Sequence, residues 1–184
     1  MSALLGTSTG IRIAVALGLS GSAWCSGAIM SFSAFAGPAL LDPLPSAVSS
    51  NAPCIWEHLY NRGKKTMPPI AATTALAHAY AAYSIPNPLS LDAIQRTRNL
   101  FALAGVLTVL IVPYTLLAMQ KTNSALATKS NVLKAKSDKG LTGETVYPVD
   151  EEAKTLLRRW NLLNTGRALL PLAGCAVGIV AVFF

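Results

Sequence analysis

Charge is what this sequence has least of. Asp, Glu, Lys and Arg make up only 12% of the 184 residues, about half the share of an ordinary soluble domain. With a mean hydropathy of +0.46, that scarcity points to a small protein with several membrane-crossing helices. The signatures of soluble enzymes are missing too. There is no phosphate-binding Walker loop, no Rossmann glycine pattern, no HExxH and no GxSxG in a strand–turn–helix setting. Histidine occurs only as His58 and His78, without a cysteine or carboxylate partner at ligand spacing, which is a weak basis for a metal site. Cys25, Cys54 and Cys175 form no CxxC pattern. Cys25 and Cys175 fall inside apolar runs and read as small packing residues. Few aromatics are interleaved with the basic residues, so the net charge of +7 does not mark a nucleic-acid binder. The cations sit in loops beside apolar runs, as at membrane surfaces.

What is present is a series of apolar segments, which predicts an all-α, four-transmembrane-helix bundle forming a single domain over residues 1–184. The spans expected are about 11–36, 67–85, 99–119 and 167–184, each long enough to cross a hydrocarbon core of roughly 30 Å. The first is too long for a signal peptide and lacks a basic stretch ahead of Ile11. Gly18, Gly21, Ser22, Ser26, Gly27, Ser31 and Ser33 let it approach other helices closely. Trp24 lies mid-span, as a packing residue or a stacking surface for an aromatic ligand. Residues 37–52 read as a proline-punctuated loop. Pro53 to Arg62 reads as a short amphipathic interfacial helix, stopped by Gly63. Met67 to Ile85 is alanine-rich and weakly apolar, which predicts a place in the bundle interior. His78 is the one titratable group near the middle of any span, and an intramembrane ionisable residue is by default a functional hypothesis.

Pro113 should disturb the third span by removing a backbone hydrogen bond, with Thr115 a nearby partner for the released carbonyl. Residues 121–149 read as a solvated, lysine-bearing loop. Asp150, Glu151 and Glu152 then suit a helix N-terminus, from which an amphipathic helix runs into the fourth span. The positive-inside rule puts the two larger loops in the cytosol. The small-residue faces of the first and fourth spans suit packing within one chain or in a homo-oligomer.

Trp160, Asn164, Arg167 and Pro171 share one stripe of the last helix. Arg167 either snorkels to lipid head groups or turns inward with Asn164 towards Thr115 and Asn123, where an arginine beside amides can hold a phenolate or enolate. The run Pro113-Tyr114-Thr115…Met119…Thr122-Asn123…Leu126, followed by Trp160…Asn164…Arg167, resembles the motifs of the anthrone oxygenase family. Ser31…Pro38 and Trp56…Tyr60…Gly63…Pro68 fit the same outline. The resemblance implies a four-helix membrane protein, often fungal, that converts a polyketide-derived anthrone to an anthraquinone with O2 and no evident cofactor.

On that reading His78 is the base, because a histidine titrates near neutral pH. Asn164 and Arg167 hold the developing oxyanion, and Thr115 and Asn123 orient the substrate. Trp24, Trp56, Tyr80, Tyr83 and Trp160 line a slot for flat rings. The expected partners are a small aromatic polyketide and membrane lipids, with no nucleic acid and no bound metal. The membrane expected is the endoplasmic reticulum or another internal one. Two alternatives stay open: a non-catalytic scaffold or lipid-binding protein, and a metal- or haem-dependent oxidoreductase using His58 and His78.

Overall fold

The computed structural model describes residues 7–41, 51–85, 92–138 and 151–183. Every element among them is helical, and they form four long helices. Helix α1, Thr9–Leu41, is α-helical to Ser31 and then widens into a π-helical turn at Phe32–Ala36, where the Gly37 N–H reaches back to the Phe32 carbonyl. Pro38 follows at once; it has no N–H and its ring crowds the preceding turn, which is where the register widens. Helix α2 is Ala52–Ser84. Helix α3 runs through Asp92–Val109, Ile111–Tyr114, a second π-helical turn at Thr115–Met119, and Gln120–Asp138. Helix α4 is Glu151–Phe183, with Glu151 and Glu152 in its first turn, where acidic side chains complement the helix dipole.

Three expectations need correction. The polar loop expected from Lys121 is helical as far as Asp138; only its remainder, 139–150, lies outside the described residues. Gly63 does not end a helix, nor does Pro68-Pro69 begin one, since all three lie inside the unbroken α2. Of the loop expected over 37–52, Gly37–Leu41 is helical and 42–50 lies outside the described residues. The disturbance at Pro113 is present as a break at Leu110 and the π-helical turn that follows. Proline there leaves the Val109 carbonyl without its usual donor.

The helices fold into two compact units, and each helix contributes one length to each. The first comprises Met1–Ala28, Thr66–Pro113 and Arg167–Phe184; the second comprises Ile29–Lys65 and Tyr114–Gly166. The first unit buries Ile11, Ala14, Val15, Ala81, Ala82, Ile85, Phe101 and Ala181 together. It also buries Ser22, Ser26, Thr74, His78, Thr97 and Thr108, while Leu17, Leu76, Leu103, Val106 and Leu169 are about half exposed or more. Large aliphatic side chains outside and small or polar ones inside is the arrangement suited to lipid, where helices associate through close backbone approach and hydrogen bonds. Ser26 Oγ on α1, for instance, donates to the Ala168 carbonyl of α4 over 2.9 Å.

Among the described residues, three helices, Thr9–Leu41, Ile94–Asp138 and Glu151–Phe183, are long and apolar enough to cross a membrane. The alanine-rich part of α2 is expected in the bundle interior, shielded from lipid. It buries one face (Ala71, Thr74, His78, Ala81) and exposes the other, including Leu76 and Tyr83.

The second unit is built around Ala52, Trp56, Met119, Leu126, Leu157 and Trp160, with Phe32, Leu40, Tyr60 and Tyr114 against them. At its surface, Lys129 pairs with Glu152 at 2.5 Å and Lys134 with Glu57 at 2.7 Å. Glu57 also accepts a hydrogen bond from Ser130. The hydrogen bond from Lys134, then that from Ser130, hold the Glu57 carboxyl below the usual carboxylate range.

Candidate functional site

The second unit encloses a cluster of aromatic rings and amides. Trp56 and Tyr60, one turn apart on α2, stack with ring centroids 5.0 Å apart and planes at 11°. Trp160 of α4 meets Trp56 edge-on, at 5.9 Å and 85°. From the second half of α3, Asn123 Nδ2 reaches the Tyr60 hydroxyl at 3.4 Å. Asn164 Nδ2 donates to the Ile29 carbonyl at 3.0 Å and to Ser33 Oγ at 2.8 Å, tying α4 to α1. The Asn161 amide fills the space that a Cβ on Gly37 would take, so a larger residue there would have to turn the amide aside.

Five buried polar atoms of this unit have no hydrogen-bond partner in the protein: Trp56 Nε1, Trp160 Nε1, Asn123 Oδ1, Asn161 Oδ1 and Asn164 Oδ1. Trp56, Trp160, Asn123 and Asn164 are each at least nine-tenths buried. A buried polar atom left unpaired costs about 1–3 kcal/mol, so five in one unit concentrate unmet hydrogen-bonding capacity there. The set offers two N–H donors and three amide oxygens among stacked rings. That suits a flat aromatic molecule carrying several hydroxyl or carbonyl oxygens. Both π-helical turns belong to this unit, and such turns occur often at functional sites.

His78 belongs to the first unit. Its Nε2 lies 3.1 Å from Ser22 Oγ, which is 2.7 Å from Thr108 Oγ1, which in turn donates to the Ala104 carbonyl over 2.9 Å. Thr108 spends its proton on the carbonyl and so accepts from Ser22. His78 Nε2 faces Ser22 Oγ and Nδ1 faces the Gly18 backbone, outside good hydrogen-bond geometry, so each tautomer of the ring keeps one of the two contacts. Glycines from three helices admit the imidazole. A Cβ on Gly18 would come within 2.8 Å of Nδ1 and Cε1, one on Gly178 within 3.2 Å of Cε1, and one on Gly105 within 3.2 Å of His78 Cβ. Phe101 lies beside the ring at 6.3 Å.

Of the residues singled out from the sequence, the second unit brings together Trp56, Trp160, Asn123 and Asn164, and holds Thr115 in its π-helical turn. Trp24, Tyr80 and Tyr83, all in the first unit, are 51%, 50% and 83% exposed. Arg167, also of the first unit, is half-buried and engaged within the protein. Sequence reasoning missed Ser33 and Asn161 as parts of the amide cluster, and Ser22 and Thr108 as partners of His78. The spacing of Asn161 and Asn164 on one helix face was the available signal for the first pair. Ser22 and Thr108 lie far apart in the chain and carried none. Among the described residues, no three His, Cys, Asp or Glu side chains come together as a metal site would require.

Comparison with known proteins follows this geometry. A family described as anthrone oxygenase matches residues 56–177. The chain is 35% identical over 172 residues to an anthrone oxygenase of Aspergillus fumigatus, 90% of each chain being covered. It is 34% identical over 153 residues to an anthrone oxygenase of Paecilomyces divaricatus, covering 83% of this chain and 85% of the other. It is 33% identical over 130 residues to a noranthrone monooxygenase of Aspergillus flavus, covering 69% of this chain and 54% of that protein. No solved structure matches the chain.

Proposed function

Because the chain belongs to the anthrone oxygenase family, we propose that it oxidises the methylene carbon of a hydroxylated tricyclic anthrone to a carbonyl, with O2 as co-substrate and no resident cofactor or metal. An oxygenase role in an aromatic polyketide pathway is what its relatives support. The finer reading rests on one observation, the five unpartnered polar atoms around the Trp56–Tyr60–Trp160 rings.

Loss of one methylene proton turns the anthrone into a delocalised anion with its charge on the ring ketone oxygen. The electron-rich carbon reduces O2 and bonds to it, giving a hydroperoxide after protonation. Loss of water then breaks the O–O bond and the second C–H bond. One oxygen atom stays as the new carbonyl and the other leaves as water, so no outside reductant is needed. On this reading the Trp56 and Trp160 N–H groups hold the anionic oxygen, and donors fixed before reaction stabilise such charge at little reorganisation cost. The oxygens of Asn123, Asn161 and Asn164 accept from the phenolic hydroxyls. His78, fully buried in the first unit, is kept as the candidate proton acceptor on its residue type alone, and is tested separately from the ring site. The membrane proposed is the endoplasmic reticulum or another internal one, with the larger loops cytosolic.

The test is oxygen uptake and anthraquinone formation by detergent-purified protein with a polyhydroxylated anthrone, against the slow spontaneous oxidation. Removing one N–H donor with Trp160→Phe should lower turnover by roughly a hundredfold. His78→Ala should cost a similar factor if the imidazole takes the proton; nearly full activity in folded His78→Ala removes it from the scheme. Wild-type protein that leaves the spontaneous rate unchanged overturns the oxygenase reading and favours a scaffold. Metal in stoichiometric amount in the active preparation overturns the cofactor-free part alone.

A further inference from the structure

In the first unit, α2 and α3 leave an open groove of about 710 Å³ between them. Its floor is dug by small residues. Gly105 has no side chain to meet the Ala75 carbonyl, which would stand 3.2 Å from a Cβ there. The walls are aliphatic, with Ala79, Leu76, Ala102 and Val106 exposed along them. Polarity is confined to one end, where Arg98 Nε donates to the Ala82 carbonyl over 3.0 Å and Gln95 Nε2 to Asn99 Oδ1 over 2.9 Å. The first bond anchors the guanidinium at the mouth, and the second leaves Asn99 Nδ2 as a donor beside it.

We propose that this groove binds one acyl chain of an anionic phospholipid, with the phosphate on Arg98 and Asn99. Three features select that occupant. The lining runs from Ala72 to Tyr83 on α2 and from Gln95 to Val109 on α3, about 17 and 21 Å at 1.5 Å per residue. That is close to one leaflet, about half of the roughly 30 Å hydrocarbon core. The groove is charged only at its mouth and with only one sign, which matches a phosphate head joined to an apolar tail. Finally, Tyr83 at the mouth is the one aromatic ring in the lining, so the length of the groove has no surface on which a flat tricycle could stack. The inference rests on the membrane setting and is independent of the reaction proposed above.

The test uses the whole protein in vesicles of equimolar phosphatidylcholine and phosphatidylglycerol, followed by mild extraction and native mass spectrometry. One phosphatidylglycerol per chain should be retained, in several-fold preference to phosphatidylcholine. Arg98→Gln should bring that preference down to the composition of the vesicle, and Arg98→Lys should keep most of it. Ala79→Leu and Ala102→Leu add bulk on exposed faces, which leaves the fold intact, and should lose retained lipid of both kinds. Retention in vesicle proportion by the wild type, an undiminished preference in folded Arg98→Gln, or displacement of the lipid by an anthraquinone at one equivalent would each overturn the proposal.

Discussion

Replacing Asn123 with leucine tests whether the unpaired atoms of the second unit are kept for function. Asn123 is 6% exposed, its Oδ1 has no partner, and its Nδ2 makes one long bond of 3.4 Å to Tyr60. Leucine has a similar size and shape, removes the stranded acceptor and gives up the weak bond. An unpaired buried acceptor costs about 1–3 kcal/mol, and so long a hydrogen bond returns no more than about 0.5–1 kcal/mol. The net expectation is a gain of about 0.5–2 kcal/mol, or roughly 2–6 °C in melting temperature for a chain of this size. Turnover should move the other way, falling by roughly tenfold or more as a substrate hydroxyl loses its acceptor. Thermal scans of both detergent-solubilised proteins, followed by tryptophan fluorescence, would be set beside initial rates of anthraquinone formation. A variant that melts at or below the wild type while keeping full activity would show that the atom is neither strained nor used, and the reasoning fails.

Two glycines should respond to alanine in opposite ways. Gly18→Ala drives a Cβ into the enclosed His78 ring and should destabilise by about 1–3 kcal/mol. Gly63→Ala meets nothing within 4 Å in mid-helix and should stabilise by about 0.5–1 kcal/mol. The same thermal scans report both. The Glu57 carboxyl, held below its ordinary range chiefly by Lys134 and then by Ser130, contributes to the acid limb of stability. Because its folded-state pKa is depressed, its contribution is complete above the unfolded value and is lost as pH falls through the folded one. The melting difference between wild type and Glu57→Gln should therefore be largest near neutral pH and shrink on acidification; a difference that does not change with pH would show that the carboxylate is not linked to folding. Ser22→Ala strands His78 Nε2 and Thr108 Oγ1 and should cost about 1–3 kcal/mol, measurable as a lower melting temperature.

The all-α architecture was legible because long continuous apolar segments, unlike the short alternating strands of a barrel, satisfy their backbone in lipid as helices. Boundaries were less so, for physical reasons. The second half of α3 carries Lys121, Lys129, Lys134 and Lys136 and reads as a solvated loop, yet it buries Thr122, Asn123, Leu126 and Ser130. That stripe is helical in period but mostly polar, so hydropathy passes over it. Gly63 and Pro68-Pro69 carry the local grammar of a helix end, and tertiary packing carries α2 through them. The site shows the same division. Trp56, Asn123, Trp160 and Asn164 stood out by residue type and spacing. Trp24, Tyr80 and Tyr83 stood out equally, but spacing alone does not say which face of a helix looks outward. The links from His78 to Ser22 and Thr108 depend on three helices meeting, which no local pattern carries.

The π-helical turn at Thr115–Met119 sets the angular phase of everything after it in α3. Such a turn amounts to one residue inserted into a regular helix, and each α-helical residue advances by about 100°. The turn already absorbs that extra residue, so one more residue inserted between Met119 and Lys121 would swing the following length round by about that angle. Asn123, Leu126 and Ser130 would then leave the interior together, and lysines would turn in. The turn acts as an index mark, so chain length between Pro113 and Asn123 is as tightly constrained as the identity of either residue.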